Sequence, residues 1–229
     1  MTANAATALH RVNRPLYTFA DTDRLAGATR GTSKRWLTGY WYLDTQGQAV
    51  IRPPVTPDSV EVERDAASFS DLVEVVAIDG LKRVGFSMKR IREIVLNCQE
   101  GLGVDRPLTK LKFKTDGREF YVDQGDFLLE VGKRKWNRAW NEVIGPFLES
   151  LDYADEVATR WWPLGKTTPV IIDPDYGYGF PVLADSGVRT EIIRERVLAG
   201  DLEDQIARDF NISSVEVQRA VQFELGRAA

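Results

Sequence analysis

The sequence is poor in the residues on which most enzyme chemistry depends. Among 229 residues there is one cysteine, Cys98, and one histidine, His10. A single cysteine excludes an internal disulfide and any metal site built from several thiolates. A single histidine excludes a histidine-rich zinc or iron centre, and its place near the N-terminus argues against a Ser-His-Asp triad. His10 lies in MTANAATALHRVNRP, which reads as a mobile N-terminal tail. Cys98 shares helical spacing with Ile91, Ile94 and Val95, which reads as core. A Walker A loop, a CxxC pair, an HExxH helix and a GxSxG elbow are all missing. The glycine-rich GYGFP at 177–181 precedes a strand instead of opening a helix, so it reads as a turn and not as a phosphate cradle. No run approaches the roughly 18 apolar residues of a membrane span, and the N-terminus lacks the apolar core of a signal peptide. The expectation is a cytoplasmic protein that is not an enzyme and needs no cofactor or metal.

What is present points to binding. Hydrophobic residues make up 43% and there are six tryptophans, enough for a folded chain of one large domain or two to three small ones. The net charge of −4 is unevenly spread. Residues 1–53 carry seven Lys/Arg against three Asp/Glu, whereas residues 151–229 carry eight against fourteen. A basic end suits a polyanion and an acidic end suits a different partner.

In the basic end, 16–44 predicts a helix from Asp21 to Ala26, a turn through Gly27, and a second helix from Thr32 to Leu37 capped by Thr29 or Thr32. Trp36, Leu25 and Leu37 face the core. Arg30, Thr32, Ser33, Lys34 and Arg35 are the candidate DNA contacts. After them, GYWYLDTQGQAVIRPPV alternates aromatic and polar positions about a turn at Thr45–Gln48, a small β-wing carrying Tyr40 and Tyr42. The whole reads as a winged helix-turn-helix of the charge sign that nucleic acid requires.

Two amphipathic helices follow over 69–98, broken at Gly85, with Ser87 capping the second. LTKLKFKTDGREFYVD predicts a β-hairpin turning at Asp116-Gly117. A helix over 133–151, broken near Gly145-Pro146, carries Lys133, Arg134, Lys135 and Arg138 on a face that reads as solvated. Short strands are predicted at 157–162, 170–173 and 180–183. Trp161 and Trp162 then point to opposite faces, one for the core and one for an interface. Over 190–225 the signals give three helices: Thr190 opens the first, Gly200 ends it, Asp201 caps the next, and Ser213-x-x-Glu216 forms a capping box. The last two make a second helix-turn-helix, with six acidic residues against two basic ones over 201–225. Charge therefore assigns DNA reading to Arg30–Arg35 and protein contact to the C-terminal pair, with Ser213, Ser214 and Arg219 as a fallback DNA face.

FSDLVEVVAIDGLKRVGFSMKRI resembles the MerR-type pattern, with Val84-Gly85-Phe86-Ser87 at the turn. Gly39-Tyr40-Trp41-Tyr42 stands where that family has an Arg-Tyr pair near its wing. The segment 171–224 resembles the small antitoxin domain encoded beside PIN-like ribonuclease toxins, through Asp173-Pro174, Gly179-Phe180-Pro181-Val182, Gly187-Val188-Arg189, Gly200, Ile206-Ala207 and Phe223-Glu224. Val188 stands where Thr is common. The two together resemble the longer VapB-like antitoxins.

That resemblance implies a type II antitoxin that neutralises a PIN-like RNase toxin and represses its own operon, as a homodimer or a larger toxin–antitoxin hetero-oligomer. The implied fold is α+β: a winged helix-turn-helix over 14–104, a β-hairpin and helix over 105–165, and an antitoxin domain with a three-helix bundle over 166–229. Trp161, Trp162, Arg189, Arg219, Phe223 and Arg227 are the candidate toxin or dimer contacts, with Arg189 or Arg227 able to reach the toxin's acidic metal site. The alternative is a MerR-like regulator that senses a ligand and has no toxin.

Overall fold

Caps and turns set the elements of this chain, and its computed structural model describes residues 3–56, 65–103, 105–110 and 140–226. In order they are α1 (Ala3–Asn13), α2 (Phe19–Ala26), α3 (Thr32–Thr38), β1 (Tyr40–Leu43), β2 (Ala49–Arg52), α4 (Phe69–Arg83) and α5 (Met88–Leu102). A short π-helical stretch (Trp140–Ile144) runs into α6 (Gly145–Glu149). Then come β3 (Leu151–Ala154), β4 (Val157–Trp161), β5 (Val170–Ile171), β6 (Val182–Leu183), α7 (Thr190–Leu198), α8 (Glu203–Phe210) and α9 (Ser214–Leu225). The class is mixed α+β. The strands pair antiparallel as β1–β2, β3–β4 and β5–β6. The hairpin expected around Asp116-Gly117, the basic residues Lys133, Arg134, Lys135 and Arg138, and Arg227 lie outside the described residues. The chain divides into two compact units, 17–148 and 1–16 with 149–229.

In the unit 17–148, Thr18 and Asp21 form a capping box that opens α2, and Ser68 and Asp71 form another that opens α4. Ser87 caps α5, accepting from the Arg90 N–H. Leu25, Trp36 and Leu37 are buried as their spacing predicts, with Leu72, Val73, Leu81, Ile91, Ile94, Val95 and Cys98. Gly80 admits a neighbour: a Cβ there would meet Val143 Cγ1 at 2.6 Å. One ionic cluster lies inside. Arg106 donates to Asp71 and, at 2.7 Å, to Glu74, and all three are buried. Two carboxylates share one guanidinium, so burial raises the Glu74 pKa despite the opposing pull of Arg106. No sequence pattern signalled this clasp, because Arg106 lies more than thirty residues from both partners.

In the unit formed by 1–16 and 149–229, the N-terminal segment is not a free tail. It is helix α1, and Ala8 and Val12, one turn apart, are buried while His10 is exposed. Arg11 pairs with Asp175 at 2.7 Å, and Arg14 donates to the Pro174 carbonyl. Both contacts fall on the turn that precedes GYGFP. α7, α8 and α9 pack together around Ile193, Ile206, Ala207, Val217, Ala220 and Phe223. Thr190 donates to the buried Glu224 carboxylate, joining the start of α7 to the end of α9. Ser213 and Glu216 form the predicted box. Asp201 does not cap α8; Leu202 holds the cap position, and Asp201 pairs instead with Arg196 at 2.5 Å.

Candidate nucleic-acid and protein interfaces

The pair α2–α3 is locked by one carboxylate. Asp23 is buried on α2, and its two oxygens accept from the N–H groups of Gly31 at 2.6 Å and Ser33 at 2.7 Å. These are unsatisfied donors of the first turn of α3, so Asp23 does the work expected of Thr29 or Thr32. The Ser33 hydroxyl donates to the Phe19 carbonyl at 2.9 Å. Ser33 is therefore fully buried and holds the helix pair together; it is unable to reach a ligand. Thr32 is half-buried. Arg30, Lys34 and Arg35 are exposed. Among the described residues none of the three has a carboxylate partner; Lys34 lies 6.0 Å from the Phe19 ring centroid.

α3 runs into β1 through Gly39, whose φ of 74° and ψ of 178° suit glycine. A Cβ at Gly39 would lie 2.6 Å from the Arg52 carbonyl oxygen. The hairpin then presents two different faces. One holds Tyr40 and Tyr42, with ring centroids 6.2 Å apart. The Arg52 guanidinium sits 5.7 Å over the Tyr42 ring and donates to its hydroxyl at 3.1 Å. Arg92, from α5, donates through Nε and Nη2 to the Pro53 carbonyl at 3.3 and 3.0 Å. Burial lowers the Arg92 pKa and repulsion from Arg52 adds to this, with Tyr40 opposing. Arg52 and Arg92 are thus near enough for their charges to repel, with Arg52 over Tyr42 and Arg92 on the backbone that follows β2. Sequence reading missed Arg52 and Arg92, since only the hairpin fold brings them to Tyr40 and Tyr42. The other face holds Trp41 opposite Ile51, at 69% and 76% exposure.

The C-terminal candidates divide differently. Trp161 and Phe223 are buried and pack the core, so neither is a surface contact. Trp162 is half-buried, and its indole N–H donates to Asp152 at 2.8 Å. Burial opposes ionisation of Asp152, but hydrogen bonds from Lys166 and Trp162 outweigh it and lower its pKa. Arg189 lies 4.8 Å over the Phe180 ring and pairs with Glu191 at 2.9 Å. Arg219 is exposed and donates to Gln222 at 2.9 Å. Among the described residues no cluster of three or more His, Cys, Asp or Glu could hold a metal, and no helix is long and apolar enough to cross a membrane.

No model of a known protein family matches the chain. Over 226 residues, however, it is 26% identical to a Mycobacterium tuberculosis protein named "Putative antitoxin VapB45", covering 92% of this chain and 94% of that one. It resembles a VapB-type antitoxin from end to end. It is also 24% identical over 224 residues to the uncharacterized protein Rv2308 of the same organism, covering 93% of this chain and 91% of the relative. The crystal structure of Rv2018 from that organism shares the fold, with a TM-score of 0.70, 24% identity, and coverage of 92% of this chain and 99% of the other.

Proposed function

We propose that this protein is the antitoxin of a type II toxin–antitoxin system, which binds and neutralises a PIN-like ribonuclease and binds operator DNA to repress its own operon. The observation that carries the reading is the likeness to VapB45, which extends over both compact units. Neutralisation is stoichiometric binding and not catalysis. The acidic C-terminal unit takes the toxin, since a ribonuclease must be basic enough to hold RNA, and complementary charge speeds the encounter.

The unit 17–148 takes the DNA as a winged helix-turn-helix. The turn before α3 carries Arg30, and α3 carries Lys34 and Arg35, none with a compensating carboxylate among the described residues; the hairpin adds Tyr40, Tyr42 and Arg52. A homodimer would read two half-sites related by its own two-fold axis.

Co-expression of the chain with the product of the adjacent reading frame tests the reading. A toxin–antitoxin pair gives a co-purifying complex and rescues cells from arrest by the neighbour. Failure of both would overturn the toxin half and favour a ligand-sensing regulator of MerR type.

A further inference from the structure

The wing carries a face that its own unit leaves uncovered. Side chains alternate along a strand, so Trp41 and Leu43 of β1 share one face of the ribbon with their cross-strand partners Ile51 and Ala49. All four are exposed, Leu43 at 60%. The ribbon is fixed at its root. The Val55 N–H donates to the Trp36 carbonyl at 2.8 Å, and Gly39 packs against the Arg52 carbonyl. Three large apolar side chains are thus held in water at a set place, which is how an interface is built.

Charge decides what covers it. The face carries no ionisable group, and its one side-chain hydrogen-bond donor is the Trp41 indole. Arg52 lies on the opposite face with Tyr40 and Tyr42, so a polyanion is drawn to that side. Around the ribbon, residues 28–53 carry four Lys/Arg against one Asp/Glu. A basic partner therefore meets like charge and finds no carboxylate on this face to offset it. A second copy of the chain meets the same repulsion, but phosphates bound to Lys34, Arg35 and Arg52 of both copies remove it. An uncharged face is also self-complementary, as a two-fold contact requires. The three side chains cover less than the ~800 Å² per partner of a standard interface, so the contact is weak without DNA.

We infer that the face formed by Trp41, Leu43 and Ile51 docks against the same face of a second copy of this chain. The inference rests on the DNA-binding homodimer proposed above and supplies its interface. Two copies on neighbouring half-sites close ribbon on ribbon, so that binding of one favours binding of the other.

The test uses the full chain, alone and with a duplex taken from upstream of its own reading frame. Sedimentation measures self-association at low and raised salt, and a mobility shift measures cooperativity on the duplex. In free solution the association is expected to be weak and to tighten with salt, which screens the basic modules. Ile51→Lys keeps the sign of the module. It is expected to weaken association at least ten-fold at unchanged melting temperature, and to let the duplex fill one copy at a time. Leu43→Lys should do the same, and it decides should Ile51→Lys melt early. Tyr40→Ser, on the opposite face, should leave association as it is. Unchanged association in a folded Ile51→Lys variant overturns the assignment, as does a parent chain that self-associates neither free nor on the duplex. So does loss of the toxin complex with self-association kept, which gives the face to the toxin. A parent chain that self-associates through Ile51 but does not bind the duplex overturns the DNA reading and leaves the interface standing.

Discussion

The carboxylate of Asp23 and the backbone of Ser33, ten residues apart, form the hydrogen bond that fixes α3 against α2. Removing the carboxylate strands the N–H groups of Gly31 and Ser33 in a buried setting. Asp23→Ala should cost about 1–2 kcal/mol, the scale of a lost helix cap. Denaturant unfolding of the full chain checks this. Asp23→Asn, which keeps one acceptor, should recover part of the loss.

If the basic face of α3 reads DNA, reversing Lys34 and Arg35 to glutamate should abolish an operator mobility shift. The oligomeric state and the toxin complex should stay as they are. A retained shift with unchanged salt dependence would remove α3 from the reading role.

Arg52 and Arg92 make a finer prediction. If a phosphate lies between them, Arg52→Ala and Arg92→Ala should each lower affinity about equally for specific and non-specific duplexes. Each should also reduce the slope of log K against log salt by about one. A change in sequence preference without a change in slope would contradict phosphate contact.

The buried clasp of unit 17–148 should respond to pH. Glu74 ionises less readily in the folded chain than in the unfolded one, so between its two pKa values the folded state holds the extra proton. Stability contributed by Glu74 therefore declines as pH rises from the ordinary carboxylate value through the raised one. Glu74→Gln should remove that decline, so the melting temperature of the variant relative to the parent should climb from pH 4 upward. Arg106→Ala leaves two buried carboxylates without a cation and should cost about 3–5 kcal/mol.

The first helix supplies a fifth test. Val12→Asp places a charge where α1 buries its apolar face, and should destabilise its unit by about 2–4 kcal/mol. Proteolysis should then attack the segment before Leu16 first. Indifference to the change would make α1 an unattached tail after all.

Much of the fold was legible where the signal is local. The boxes Thr18–Asp21, Ser68–Asp71 and Ser213–Glu216 each need only residues three apart, and the sequence spells out the last of them. The core spacing of Ile91, Ile94, Val95 and Cys98 also holds in the structure. Local signals misled where a distant group competed. Thr29 and Thr32 are sound caps for α3, yet Asp23 takes that place. Asp201 is a sound cap for α8, yet Arg196 draws it away. Alternation put Trp161 and Trp162 on opposite faces without saying which face the core would cover, and burial chose Trp161.

By itself the sequence determined α2 to α5 and α7 to α9, the hairpin β1–β2, the scarcity of histidine and cysteine, and the opposed charge of the two ends. These depend on composition and on neighbours a few residues apart, which any conformation of the chain preserves. Only the tertiary structure decided that α1 belongs to the same unit as 149–229, that Arg106 serves Asp71 and Glu74, that Arg52 lies over Tyr42 while Arg92 holds the Pro53 carbonyl, and that Val221 and Leu225 line an open groove. Each of these joins groups far apart in sequence. The free energy that selects them comes from burial and from satisfying buried polar groups, which exist only once the chain has folded.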